Sequence, residues 1–211
     1  AARSAPVIDA GYVTLGSTEE DRWQFALQYA GCLVVIGWYA LAVRDDPLIP
    51  WATPSRRGLG LIVAGIVVLV GANNGITRLF AAVDVSLGDN AAVTVGAGEP
   101  AYLLTMVVFS LLVVGPAEEL LFRGVVQGRL RETWGGWPSI LAATVLFGLS
   151  HASVSGGAAG IAAYIVTATL LGVLLGYLYE RTDNIVVPAV IHGVNNAVIF
   201  AWLYLGEVGV V

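Results

Sequence analysis

The residues best equipped for chemistry in this 211-residue chain lie in the stretch Pro116 to Arg123, read P-A-E-E-L-L-F-R. Two adjacent carboxylates and a guanidinium stand at the end of an apolar run, Ala101 to Gly115. A charged side chain at the centre of a membrane helix costs roughly 2.5 to 3.5 kcal/mol on insertion scales, so three of them need mutual compensation or a use. On a helix, Glu119 and Arg123 are i and i+4 and can pair. Glu118 is turned by about 100° from Glu119, which leaves it free for acid–base work. The only two histidines, His151 and His192, also lie in apolar runs. Carboxylate and imidazole together suit two tasks: activating a water for hydrolysis, or relaying protons through a membrane.

The helices that must position these groups are legible from composition and periodicity. The chain is 57% hydrophobic and 12% charged, where a soluble domain carries about 25% charged residues. These values and the mean hydropathy of +0.81 predict an all-α, polytopic membrane protein. All ten basic residues are arginine, fifteen are acidic, and the net charge of −5 argues against a nucleic-acid partner. The single cysteine, Cys32, sits in an apolar run and reads as a small buried hydrophobe. The first 22 residues lack a basic start followed by an apolar core, so no signal peptide is expected.

About six spans are predicted. Residues 1–22 form a polar, acidic tail, 23–205 one transmembrane domain, and 206–211 a short C-terminal tail. The first span is Phe25 to Val43, with Trp23, Trp38 and Tyr39 as interfacial anchors. A proline-broken loop, Arg44 to Arg57, precedes the second span, Gly58 to Phe80. Asn73-Asn74-Gly75 interrupts that span and reads as polar contact between helices, with the end of a short span as the alternative. The third helix runs from Ala101 through the motif to Thr133, about 50 Å, which exceeds a hydrocarbon core of about 30 Å. Gly135-Gly136 ends it, and Pro138 starts a fourth helix reaching Ser150-His151. The fifth span is Ala158 to Tyr179, in which Gly172 and Gly176 permit close helix approach, a pattern that glycine-rich chains also produce by chance. The sixth is Ile185 to Leu205. Arginines in the loops around 44–57, 129–131 and 181 place those loops inside and both termini outside; Arg3 and Arg22 in the tail weigh against this, and a topology with a re-entrant or extra segment stays open.

Two further pairs share helical faces: Phe147 with His151, and His192 with Asn196. Spacing shows each pair on one face and leaves open whether the helices meet. Taken singly, each group is a packing residue or structural ion pair. Together, two carboxylates, an arginine, two histidines and an amide are too costly for packing alone. A hydrolase and a proton-coupled transporter or non-catalytic scaffold both remain open on these residues.

E-E-x-x-x-R, F-x-x-x-H and H-x-x-x-N, in this order on successive apolar segments, resemble the CPBP or ABI family of intramembrane proteases, which includes the type II CAAX prenyl endopeptidases. The match is complete at Glu118, Glu119, Arg123, Phe147, His151, His192 and Asn196 and covers roughly residues 101–200. The resemblance implies helices around an intramembrane polar cavity, in a multi-pass protein of a prokaryotic cell membrane. It implies that Glu118 and His151 activate a water, and that His192 and Asn196 face the oxyanion. It implies further that Arg123 orients Glu119, and that Phe147 packs behind the site. The implied substrate is a membrane-associated peptide or a protein with a prenylated C-terminus. Metal-free hydrolysis is favoured. The rival is zinc on Glu118, His151 and His192, a known type of ligand set, although H-E-x-x-H is absent.

Depth poses one difficulty. Measured from Ala101, Glu118 lies about 25 Å along its helix, while His151 lies about 20 Å along an oppositely running one that starts near Trp137. Straight helices would separate them unless one tilts or starts deeper.

Overall fold

The computed structural model describes residues 18–42 and 49–211. The tail before Thr18, the segment 43–48 with Arg44 and Pro47, and the Trp23 side chain lie outside the described residues. Seven helices follow in order: α1 (Thr18–Ala42), α2 (Arg56–Ala81), α3 (Ala91–Gly96), α4 (Pro100–Trp134), α5 (Gly136–Leu149), α6 (Ala158–Thr182) and α7 (Val186–Glu207). No strand occurs among the described residues; a lone bridge joins Asp89 and Ser155.

Four helices, α2, α4, α6 and α7, are long and apolar enough to cross a membrane. The protein is therefore a multi-pass membrane protein. In α1 the described apolar stretch is Tyr29–Tyr39, and α5 has only 14 residues. At about 21 Å, α5 falls short of a full crossing. Helix α1 begins at Thr18.

Helix α2 lies at the edge of the bundle. Ile62 and Leu69 pack on Leu175 and Leu178 of α6 and on Val187 and Ile191 of α7. Val63, Val67 and Val68 stay exposed, as a lipid-facing surface would. Among the described residues, Asn73 and Asn74 make no hydrogen bond to another helix. The Asn74 amide donates to its own Val70 carbonyl, and the Asn73 carbonyl accepts from Thr77, so the helix runs through them unbroken.

The three arginine loops meet at one end of the bundle. Arg131 reaches Glu180 at 3.0 Å and Asp183 at 3.7 Å. The Ile185 amide donates to the Pro50 carbonyl, and Asn184 Nδ2 donates to the Ala52 carbonyl. At the other end, Gly88 donates to Gly160, Asp89 pairs with Ser155, and the Gly98 amide donates to Glu207. The grouping of loops predicted from arginine bias is thus the observed grouping. Among the described residues Arg78 departs from this grouping, as a basic residue in the last turn of α2 at the second end, where it complements the helix dipole.

Candidate active site

The site is built on a distorted stretch of α4. The helix is α-helical over Pro100–Phe109, π-helical over Ser110–Val114, α-helical over Gly115–Glu119, π-helical over Leu120–Gln127 and α-helical again over Gly128–Trp134. Pro116 has no N–H to donate, and its ring crowds the carbonyl one turn back. A widened turn just before it relieves that crowding, and π turns are frequent at functional sites. Both glutamates therefore sit in a single α turn between two wide ones.

Glycines bring α7 against this turn. A Cβ on Gly115 would lie 2.7 Å from the Gly193 nitrogen, so the two backbones touch with nothing between. His192 precedes that contact and is buried with Glu119. Its Nδ1 donates to Glu119 Oε1 at 2.8 Å. The other Glu119 oxygen lies 3.2 Å from Arg123 Nε as an ion pair. Arg123 Nη2 donates to the Gly172 carbonyl at 3.1 Å, and its guanidinium lies 4.6 Å from the Phe147 ring centre. One turn further, Gln127 Nε2 donates to the Gly176 carbonyl at 3.1 Å. The Gly-x-x-x-Gly of α6 is thus a register device. A Cβ at either position would crowd the side chain bound there, at 3.1 Å from Arg123 Nη2 for Gly172 and 2.8 Å from Gln127 Oε1 for Gly176.

Glu118 faces the opposite side of His192. Its Oε2 is 3.8 Å from His192 Nε2 and makes no hydrogen bond among the described residues. Its Oε1 accepts from the Tyr29 hydroxyl at 2.9 Å. With Nδ1 of His192 donating to a carboxylate, Nε2 is left as the acceptor for Asn196 Nδ2, at 3.1 Å. Asn195 Nδ2 approaches Asn196 Oδ1 at 3.3 Å and fixes the amide's orientation, which leaves one Asn196 N–H uncommitted.

His151 lies just past the end of α5. Its Nδ1 donates to the Phe147 carbonyl at 2.8 Å, which leaves Nε2 as a free acceptor. No direct bond joins His151 to Glu118 among the described residues. Phe147 connects the two halves: its ring meets His151 at 4.8 Å, His192 at 5.7 Å and Phe122 at 5.2 Å, all edge-on. The depth difficulty dissolves here. Both helices spring from the corner at Gly135, whose φ of 75° suits only glycine without strain. Counted from that corner, Glu118 and His151 each lie about four turns along, and so at matching heights.

All seven motif residues therefore belong to one connected cluster. Glu99 is not part of it; it is exposed at the start of α4. Glu118, His151 and His192 do not form a metal-ligand group, since among the described residues no three acidic, imidazole or thiol side chains come close enough to hold an ion. Both ring nitrogens of His192 are already engaged. Sequence reasoning missed Tyr29 and also Tyr164, whose ring stacks on His151 at 5.8 Å while its hydroxyl accepts from Asn90. Neither tyrosine has a helical-spacing partner that would have marked it.

Fold and site together define a multi-pass, all-helical membrane protein with a buried Glu–His–Asn network. Residues 100–198 match the family described as Rce1-like, type II CAAX prenyl endopeptidase Rce1-like. The chain matches that CAAX-endopeptidase-like family over the stretch that carries all three motifs, and the residues before Pro100 lie outside the match. No curated protein and no solved structure gives a significant match.

Proposed function

We propose that the protein is an intramembrane endopeptidase that hydrolyses a peptide bond with an activated water. One observation carries this reading. Two adjacent glutamates flank one imidazole: Glu119 is bonded to its Nδ1 at 2.8 Å, and Glu118 Oε2 stands 3.8 Å from its Nε2 without a hydrogen bond among the described residues. A purely structural pair has no need of the second carboxylate. Glu119, neutralised by Arg123, holds His192 in one tautomer. Glu118 Oε2, itself buried and without a hydrogen bond among the described residues, is the acceptor for a proton from a water admitted beside it. His151, with Nε2 free, assists from the α5 side. The uncommitted Asn196 N–H is the donor for the developing oxyanion. The water oxygen bonds to the carbonyl carbon, and its protons pass by way of Glu118 to the leaving amine. We place this chemistry in a water-filled pocket within the membrane.

The substrate class is a membrane-associated protein or peptide, with a prenylated C-terminus as the first candidate. That specificity rests on the family match and not on the site. The test is cleavage of a farnesylated peptide by purified protein, with Glu118→Ala and His151→Ala alongside. Turnover in the wild type and its loss in both variants is expected. Equal turnover in all three would refute the assignment.

A further inference from the structure

We infer that Tyr29 is a positioning residue for Glu118, and that α1 is consequently part of the site. The inference rests on Glu118 acting as the base. Tyr29 lies outside the family match, 89 residues before Glu118, in a helix without motif residues. Its ring is buried against Val114 and Ala117 and meets Phe109 edge-on at 5.7 Å. Those three residues belong to the π turn and the α turn that carry the glutamates, or adjoin them. The phenol is therefore held by the same stretch of α4 whose carboxylate it meets, and it cannot move independently of that stretch.

The bond selects between the two oxygens of Glu118. Oε1 is occupied by the tyrosine hydroxyl at 2.9 Å. Oε2 is directed towards His192 and has no hydrogen bond among the described residues. A carboxylate free to turn about its last torsion would present either oxygen, because that torsion is broad and nearly two-fold. Tying Oε1 leaves Oε2, itself buried, as the unbonded oxygen on the His192 side and the one that a water entering the site would meet. The phenol donates to the carboxylate in a charge-assisted bond of the stronger kind.

The experiment compares kcat and KM for a farnesylated peptide in wild type, Tyr29→Phe, Glu118→Ala and Val34→Ala, all in the same detergent. Tyr29→Phe keeps the ring and its contact with Phe109 and removes only the donor. It is expected to lower kcat by about tenfold or more with KM changed less than about twofold, on the scale of one charge-assisted hydrogen bond. Val34 is 70% exposed on the same helix, so Val34→Ala controls for disturbance of α1 and keeps both constants. A wild-type kcat in Tyr29→Phe overturns the inference, as does a rise in KM alone. Wild-type turnover in Glu118→Ala removes the underlying reading of the base, and with it this inference. If Tyr29→Phe does not yield folded protein, Phe109→Leu, which keeps the hydroxyl and loosens its seat, is expected to show a partial fall in kcat. An unchanged kcat there overturns the proposal.

Discussion

Gly115 of α4 and Gly193 of α7 meet backbone to backbone, and this contact sets the distance between the glutamates and His192. A Cβ on Gly193 would lie 2.9 Å from the Ser110 carbonyl, and one on Gly115 would lie 2.8 Å from the Ala189 carbonyl. These neighbours are main chain and cannot swing aside. Gly193→Ala must therefore separate the helices, at a cost of about 1–3 kcal/mol for overpacking. The expected result is a lower thermal midpoint in detergent together with loss of peptide cleavage. Gly71→Ala, with nothing within 4 Å of the added carbon, serves as the control and keeps both. Wild-type cleavage in Gly193→Ala would show that the approach does not govern the site.

Much of this arrangement was legible because membrane burial makes charge conspicuous. Glu119 and Arg123 could be paired from spacing alone, as could His192 and Asn196, since i and i+4 lie on one helical face whatever the tertiary structure. The meeting of helices was not legible. It depends on Gly115 and Gly193, two glycines among 26, and nothing local distinguishes them. The pair Gly172 and Gly176 was discounted for the same reason, yet its two carbonyls receive Arg123 and Gln127. The wide turns around Pro116 are not legible because a proline marks a break in the α-helical ladder without showing how the chain accommodates it. Depth was misjudged because it was measured from Ala101 and not from the corner at Gly135, which both helices share.

Arg123 makes three different contacts that a lysine cannot reproduce together. Its Nε pairs with Glu119, its Nη2 donates to Gly172, and its plane lies over Phe147. A lysine offers one compact charge without the planar fork. Arg123→Lys is expected to lower the thermal midpoint and cleavage. Arg123→Leu should be worse, since leaving Glu119 buried without its cation costs about 3–5 kcal/mol. Wild-type stability and cleavage in Arg123→Lys would mean that charge alone is required. Thermal unfolding and cleavage of the farnesylated peptide by the same preparations decide between the two.

The engagement of both His192 nitrogens leads to an expectation about metals. With Nδ1 on Glu119 and Nε2 on Asn196, the one lone pair of this imidazole is already engaged by an amide donor. Dialysis against a strong chelator is expected to leave turnover unchanged. Activity lost on dialysis and restored by zinc would defeat the water-and-carboxylate mechanism and require rearrangement of His192.

Asn196 offers the sharpest separation of binding from chemistry. Its Nδ2 bonds His192 Nε2 with one hydrogen, the other has no partner among the described residues, and Asn195 steadies the amide oxygen. Asn196→Asp has nearly the same shape but exchanges this donor for an acceptor. It also adds a third carboxylate beside Glu118 and Glu119. Charge developing on the scissile carbonyl oxygen would then meet repulsion where it had met a hydrogen bond. Loss of one such donor lowers kcat by about 10²–10³-fold. Because the group acts on charge that exists only in the transition state, KM should change far less than kcat. Asn196→Ala, which removes the donor without adding charge, should fall between wild type and Asn196→Asp. An effect of both variants on KM with kcat intact would instead assign Asn196 to substrate binding. The oxyanion would then depend on a protonated His192, with Glu119 as its counter-ion.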